Sequence, residues 1–291
     1  MANHQLIDHI RAHSSPLDPV ETGEPKLVSK VPGLKAVVFD VYGTLFISAS
    51  GDISLAENED RSPAIMAALE TAGYEVLDRE APWSANFMGT LQRFRRDRAK
   101  AGIDYPEVHI EEVWQDLIEE SKNAGFLAGS GDVQLAIVDH ECRVNPCWPM
   151  PNLEETLSRL TREGLHLGIV SNAQFYTPLL FPALISKPHT EYAFDSKHCV
   201  WSWMEREGKP STGLYQRLKQ VLEVDGISPH DTLYVGNDLR NDIWPAKALG
   251  FQTVLFAGDK RSLRWRTDDP DCRSVRPDFV ITDLSQLFEI L

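Results

Sequence analysis

Residues 34–45 read Leu-Lys-Ala-Val-Val-Phe-Asp-Val-Tyr-Gly-Thr-Leu, an apolar run that ends in an aspartate and a turn. The valine-rich part, residues 34–39, predicts a short buried strand. Asp40 follows at the carboxyl end of this strand, where open α/β sheets bind their ligands. Gly43 permits a sharp bend and leaves backbone N–H groups directed at an anion. A carboxylate at this place can attack an electrophile and form a covalent intermediate. The alternative is an ordinary strand-to-loop turn with a solvated aspartate.

Beyond this stretch, strand-like and helix-like segments alternate. Apolar runs predict further strands at 165–171, 233–235, 253–256 and 279–281. Asn152 predicts a helix N-cap, Glu155 is expected to close a capping box, and Gly164 predicts the end of that helix. Strands that alternate with helices are typical of an α/β fold with a doubly wound parallel sheet.

The sequence pattern also divides the chain into parts. Residues 1–33 are polar and proline-bearing, and they predict an N-terminal extension. Residues 47–150 contain little that indicates a buried strand. Helical patterns within this block lie at 65–72, 87–101 and 110–124. Because the block separates the strand before Asp40 from the next strand, it predicts a helical cap inserted into an α/β core. That core is made of residues 34–46 and 151–291.

Composition excludes several classes of function. The 291 residues are 42% hydrophobic and 25% charged, as is ordinary for a globular protein that can bury a substantial core. A formal net charge of −14 argues against a nucleic-acid partner, because phosphate binding needs a basic face. No apolar run approaches the roughly 20 residues that span a bilayer, so no membrane partner is expected. The first residues lack the features of a secretory signal, and a cytoplasmic location is therefore expected. The oligomeric state stays open.

Polar side chains follow the other predicted strands. Ser171 and Asn172 end the second strand, and Lys209 lies in a loop before a helix-like run. The third strand leads into residues 237–242, Asn-Asp-Leu-Arg-Asn-Asp, where carboxylates and amides are crowded. A Ser-Asn turn and a loop lysine are ordinary structure when each is taken alone. Taken with Asp40 and the acidic loop, they favour a functional site at one edge of the sheet.

This order of an aspartate, a serine, a lysine and an acidic cluster resembles the haloacid dehalogenase superfamily of hydrolases. The resemblance covers about residues 34–51 and 150–283 and implies a Rossmann-like core. It implies that Asp40 is the nucleophile and that Lys209 neutralises charge in the transition state. The candidate catalytic residues are Asp40, Tyr42, Ser171, Lys209 and Asp242. The candidate substrate-binding residues are Thr44, Asn172 and Phe175.

The acidic loop raises the question of a metal. In superfamily members that use magnesium, an aspartate directly follows the glycine that ends the third strand, and a second aspartate comes four or five residues later. Here Asn237 directly follows Gly236, and a neutral amide holds a hard cation less strongly than a carboxylate does. Asp238 can take that place, with Asp242 as the second acidic residue. The alternative is that Asp238 and Asp242 cap a helix that starts near residue 243. The candidate metal ligands are Asp40, Tyr42, Asn237 and Asp238.

Tyr42 departs from the phosphatases of the superfamily. Those enzymes have a second aspartate two residues after the nucleophile, and it protonates the leaving alkoxide. A phenol with a pKa near 10 is poorly matched to that task. The L-2-haloacid dehalogenases have an Asp-x-Tyr-Gly-Thr turn like this one, and a halide leaves without a proton.

Other features point away from a dehalogenase. The loop after the third strand is one residue longer and more acidic than the Ser-Ser-Asn-x-x-Asp arrangement of dehalogenases. Such a loop beside Asp40 is expected to repel a haloacid unless a cation intervenes, which favours magnesium. Arginines within residues 93–98 can clamp an anion over the site, or they form a solvated helix face.

The sequence therefore predicts a hydrolase of small anionic metabolites that acts through a covalent intermediate on Asp40. Magnesium-assisted hydrolysis of phosphomonoesters is the first expectation. Metal-free hydrolysis of 2-haloacids is the alternative, and a weakly active or non-catalytic anion-binding module is the third.

Overall fold

A computed structural model describes residues 2–50 and 60–291 of the chain. Its strands are β1 (Ala36–Phe39), β2 (Phe46–Ser48), β3 (Tyr74–Val76), β4 (Leu127–Gly129), β5 (Cys147–Pro149), β6 (His166–Ser171), β7 (Phe194–Trp201), β8 (Thr232–Gly236), β9 (Gln252–Phe256) and β10 (Phe279–Ile281). Its α-helices are α1 (Ala2–His13), α2 (Ser62–Thr71), α3 (Trp83–Lys100), α4 (Ile110–Asn123), α5 (Val133–Val144), α6 (Leu153–Arg162), α7 (Leu180–Leu184), α8 (Ser202–Glu205), α9 (Thr212–Val224) and α10 (Trp244–Ala248). A π-helical turn over Leu239–Ile243 precedes α10.

A six-stranded parallel sheet forms the centre of the molecule, in the order β10-β9-β8-β1-β6-β7. Every residue of β1 is buried. Its side chains alternate between two clusters, since Val37 and Phe39 pack on one face while Ala36 and Val38 pack on the other. Burial on both faces explains why β1 reads as a continuous apolar run. The α/β prediction with a parallel sheet is confirmed.

All five predicted strands are found in the central sheet, and one strand of that sheet was missed. The missed strand, β7, reads Phe-Asp-Ser-Lys-His-Cys-Val-Trp and lies at the sheet edge. Its first half is polar and partly exposed, so it lacks the apolar pattern on which the prediction relied.

Helices α2 to α5 lie between β2 and β5, the part of the chain for which the sequence predicts a cap. Three of them match the predicted helical patterns closely, whereas α5 was not predicted. Asp132 caps α5 by accepting a hydrogen bond from the backbone N–H of Leu135. The helix buries Asp139 and His140 alongside apolar residues, so its sequence lacks a clean amphipathic pattern. Two small antiparallel ribbons, β2-β5 and β3-β4, complete this region.

The residues predicted as an N-terminal extension pack against the rest of the molecule. Helix α1 buries Leu6 and Ile10, and it contacts α5 and α7. Further along, the backbone of Leu27 exchanges hydrogen bonds with that of Val280 at the sheet edge. None of the helices within 2–50 and 60–291 combines the length and apolar character that crossing a lipid bilayer requires.

The predicted capping box at α6 is wrong. Asn152 has a left-handed backbone with a φ of 62°. Its side chain donates hydrogen bonds to Asp283 rather than accepting one from the first turn of the helix. A contact from the distant end of the chain therefore replaces the local one.

Candidate active site

Three neighbouring strands, β6, β1 and β8, end at the same edge of the sheet, and their ends bring several of the predicted residues together. Asp40 follows β1 and keeps a backbone hydrogen bond of 2.9 Å to the carbonyl of Val235 in β8. A cavity of about 140 Å³ opens at this edge. It is lined by Asp40, Tyr42, Ser48, Asn172, Lys209, Asn237, Asp238, Asn241, Asp242, Ser262, Arg264 and Arg266.

Lys209 lies between two carboxylates. Its Nζ is 2.7 Å from Oδ1 of Asp40 and 2.6 Å from Oδ1 of Asp242. Burial alone lowers the pKa of Lys209, but the two carboxylates raise it above its ordinary value overall. Burial raises the pKa of Asp242 to about 7, against the opposing effect of Lys209. The lysine is therefore positioned to neutralise the negative charge of Asp40.

Asp242 is held from several sides. The hydroxyl of Tyr234 donates to its Oδ1 over 3.1 Å, and the backbone N–H of Asp238 donates to its Oδ2 over 3.0 Å. Gly236 makes room for this carboxyl, because a Cβ at that position would lie 2.4 Å from Cγ of Asp242. These contacts fix the orientation of the carboxylate that Lys209 shares with Asp40.

Asn172 positions Lys209 through its backbone. Its Oδ1 accepts a hydrogen bond of 2.7 Å from the backbone N–H of Lys209. Ser171 is fully buried at the end of β6, and the described cavity lining does not include it. Its Oγ lies 3.5 Å from the carbonyl oxygen of Asn172, which it faces as a donor.

The turn after Asp40 is tightly packed. Gly43 has a φ of 78°, and a Cβ on it would lie 2.5 Å from Cβ of Ser262. Thr44 is buried and donates a hydrogen bond of 3.1 Å to Oδ1 of Asn237. The Nδ2 of Asn237 in turn donates to the carbonyl of Ser262 over 2.7 Å.

The hydroxyl of Tyr42 forms its hydrogen bond with Thr177 rather than with Asp40. The hydroxyl lies 2.9 Å from Oγ1 of Thr177. Burial raises the pKa of Tyr42 well above its ordinary value. A phenol in this state is a weaker proton donor than a solvated phenol. The pKa of a solvated phenol is already too high for efficient general acid catalysis at neutral pH.

Arg266 is a charged residue of the cavity that the sequence analysis missed, and Arg264 is another. The guanidinium of Arg266 binds both carboxylate oxygens of Asp238, with Nη2 lying 2.6 Å from Oδ2 and Nε lying 3.2 Å from Oδ1. Oδ1 of Asp238 also accepts hydrogen bonds from the backbone N–H groups of Arg240 and Asn241. Asp238 therefore does cap a helical turn, but the turn begins at residue 239 rather than near 243. The basic run Arg261-Ser-Leu-Arg-Trp-Arg266 after β9 was the signal available in the sequence.

The residues of this arrangement fit a magnesium site poorly. Both oxygens of Asp238 are engaged by Arg266, and the amide of Asn237 is held between Thr44 and Ser262. Asn237 supplies a neutral oxygen at the position directly after the strand, which binds a hard cation weakly. Positive charge beside the acidic loop comes instead from Lys209 and Arg266. The self-repulsion that favoured magnesium at the sequence level is thus relieved by the chain itself.

Other candidate residues lie outside the cavity. Phe175 packs against Tyr176, with ring centroids 5.4 Å apart, and the described cavity lining does not include it. In the predicted cap, Arg93 forms ion pairs with Asp116 and Glu120 of α4. For Arg93, that pairing agrees with a solvated helix face rather than with an anion clamp.

Comparisons with known proteins agree with this architecture. The model of the haloacid dehalogenase-like hydrolases matches residues 34–250. A phosphoglycolate phosphatase of Photorhabdus laumondii subsp. laumondii is 27% identical over 267 residues, which cover 91% of this chain and 96% of that protein. A glyceraldehyde 3-phosphate phosphatase of Pyrococcus furiosus is 28% identical over 155 residues, which cover 53% of this chain and 59% of that protein.

Among solved structures, a 2-haloacid dehalogenase from Pseudomonas syringae pv. Tomato DC3000 superposes with a TM-score of 0.54. It is 19% identical, and the match covers 88% of this chain and 97% of that one. At this level of identity the likeness concerns the fold.

Proposed function

Since the chain belongs to the haloacid dehalogenase-like hydrolases, we propose that it hydrolyses a 2-haloacid without a metal ion, through a covalent ester on Asp40. In the first step, a carboxylate oxygen of Asp40 forms a bond to carbon 2 of the substrate, and the halide leaves with the bonding electron pair. In the second step, water attacks the carboxyl carbon of Asp40 and releases a 2-hydroxyacid and a proton. The second step thereby returns Asp40 to its starting carboxylate form.

The hydrogen bond and the raised pKa of Tyr42 are the main support for this proposal. A leaving alkoxide needs a proton, and general acid catalysis typically contributes about a hundredfold to ten-thousandfold in rate. The hydroxyl at the position of that acid is bonded to Thr177, and its pKa is raised by burial. A halide departs without a proton, so this turn is compatible with displacement at carbon. The pairing of Asp238 with Arg266 supports a reaction that does not depend on a metal.

Lys209 has the same role in both steps. Its ammonium group is 2.7 Å from Asp40 and neutralises the carboxylate that is consumed in the first step and regenerated in the second. Arg264 and Arg266 line the cavity together with Asp40, Asp238 and Asp242.

A magnesium-assisted phosphatase that acts through an aspartyl phosphate is the second candidate. The names of the sequence relatives favour it, because both are phosphatases of small phosphorylated acids or sugars. The same nucleophile and lysine serve that reaction.

One pair of assays separates the two candidates. The purified chain is treated with EDTA and incubated with 2-chloropropionate, and chloride release is measured. A second reaction contains magnesium chloride and a panel of alkyl phosphates. Alkoxide leaving groups need a proton, whereas p-nitrophenolate leaves without one, so alkyl phosphates are the stricter substrates. We expect chloride release in EDTA and little phosphate release. Phosphate release that requires magnesium, with no chloride release, contradicts the proposal.

Two variants serve as controls for this assay. Asp40→Asn keeps the size of the side chain and is expected to remove all chloride release. Asp195→Asn makes the same change at a surface ion pair with Lys197 and is expected to leave the rate unchanged.

A further inference from the structure

The segment Ser262–Arg266, here called the basic segment, is built onto the acidic loop. Its backbone pairs with the loop on both sides of Asp238, because the N–H of Arg264 donates to Asn237 over 3.0 Å and the carbonyl of Arg264 accepts from Leu239 over 2.8 Å. The side chain of Asn237 also donates to the carbonyl of Ser262. The acidic loop and the basic segment therefore form one unit.

The charges that line the cavity balance without a metal. Among the described residues of the lining, Asp40, Asp238 and Asp242 are acidic. Three other residues of the same lining are cationic, namely Lys209, Arg264 and Arg266. Buried carboxylates are stable only when charge or hydrogen bonds compensate them. Here the compensation comes from the protein.

Arg266 has an unfavourable backbone conformation where it contacts Asp238. Its φ is 47°, in the left-handed region that costs an L side chain about 1 kcal/mol or more. Such a conformation persists when the surrounding structure requires it. The bidentate pair with Asp238, which is itself buried, is the interaction that this conformation serves.

From these observations we infer that Arg266 is a built-in counter-ion, which occupies Asp238 and makes this active site independent of a divalent cation. This inference rests on the metal-independent reaction proposed above. Removal of the guanidinium exposes a buried carboxylate beside Asp40 and Asn237, and oxygen ligands of this kind bind Mg²⁺ and Mn²⁺. The same substitution should therefore convert the pocket into a cation site.

Binding of Mn²⁺ tests the assignment directly. The wild-type chain, Arg266→Gln and Arg240→Gln are titrated with MnCl₂, and the free ion is measured by electron paramagnetic resonance. Arg240→Gln is a matched control, because it removes one positive charge from the same loop, where Arg240 pairs with Asp269. We expect Arg266→Gln to bind one Mn²⁺ at least about tenfold more tightly than the wild type. The control should bind like the wild type.

A double variant locates the new ligand. Arg266→Gln with Asp238→Asn should lose the gained affinity, since Asp238 is the carboxylate that Arg266 occupies. Circular dichroism checks folding, and Arg266→Met, which keeps an apolar stem, carries the same prediction if Arg266→Gln does not fold. Tight binding of Mn²⁺ by the wild type, or a folded Arg266 variant with no gain in affinity, overturns the assignment.

The two proposals fail separately. If Arg266→Gln gains the cation site while the wild type releases no chloride, the counter-ion stands and the 2-haloacid substrate is wrong. If the wild type releases chloride in EDTA and the variant gains no affinity, the counter-ion alone is wrong.

Discussion

Lys209 is the residue on which the electrostatics of the site depend. Its side chain is 3% exposed and forms ion pairs with Asp40 and Asp242 at the same time. Removal of one partner from a buried ion pair leaves an uncompensated charge, which typically costs about 3–5 kcal/mol. The lysine therefore contributes to stability as well as to the proposed chemistry.

Lys209→Met should lower the free energy of unfolding by roughly 3 kcal/mol, because two carboxylates then lose their shared cation. Chemical denaturation measures this change. Adding Asp40→Asn to the same chain should recover part of the loss, since a carboxylate that has lost its cation is removed. If Lys209→Met unfolds at the wild-type denaturant concentration, the ion pairs do not stabilise the fold as described.

Asp40, Lys209 and Asp242 were predicted from the sequence and Arg266 was not, for a physical reason. Asp40, Lys209 and Asp242 each follow a strand or precede a helix, so the parallel sheet alone brings them to one edge. Arg266 reaches Asp238 because an irregular segment after β9 folds back onto the acidic loop. No periodic pattern encodes that path, and the basic run was visible only as composition.

At the scale of elements, the turn after β1 and the basic segment determine each other's positions. Gly43 approaches Ser262 and Asn237 so closely that no side chain fits between them. The turn therefore depends on a contact across more than two hundred residues of chain. Strands buried on both faces, such as β1 and β8, were readable from the sequence, whereas β7 and α5 owe their form to tertiary packing.

Gly43→Ala should destabilise the protein more than Gly23→Ala. Both glycines have a positive φ, 78° and 74°, so each alanine pays a similar backbone cost of about 1 kcal/mol. At Gly23 nothing lies within 4 Å of the added Cβ, while at Gly43 the overpacking adds about 1–3 kcal/mol. Thermal unfolding of the two variants compares them. Equal melting temperatures contradict the close packing of the turn.

At the scale of the whole molecule, the region predicted as a cap is hydrogen-bonded to the loop that carries Lys209. The carbonyl of Tyr105 accepts a hydrogen bond of 2.7 Å from the backbone N–H of Gly208. Glu107 accepts a hydrogen bond from Ser202 of α8 and lies close to Gln174. Burial raises the pKa of Glu107, although hydrogen bonds and nearby arginines oppose the effect. The division into extension, core and cap stays a prediction.

Glu107→Gln should raise the stability of the protein over that of the wild type more at neutral pH than at acidic pH. Because the folded-state pKa is raised, the folded chain keeps this proton to a higher pH than the unfolded chain does. The wild type therefore loses stability as the pH rises from the ordinary value of a glutamate, 4.5, through the raised value. Glutamine removes that loss. Melting temperatures at pH 4.5 and pH 8 measure it, with Glu155→Gln on the exposed face of α6 as the control.

The most direct test of the account follows one oxygen atom. A single turnover of 2-chloropropionate is run in H₂¹⁸O with enzyme in excess, and the peptide that contains Asp40 is analysed by mass spectrometry. Attack of water on the carboxyl carbon of an Asp40 ester leaves one solvent oxygen in that side chain, so we expect a gain of one ¹⁸O in the peptide and an unlabelled 2-hydroxyacid. Label in the hydroxyacid with none in Asp40 shows that water attacks the substrate itself and contradicts the covalent ester.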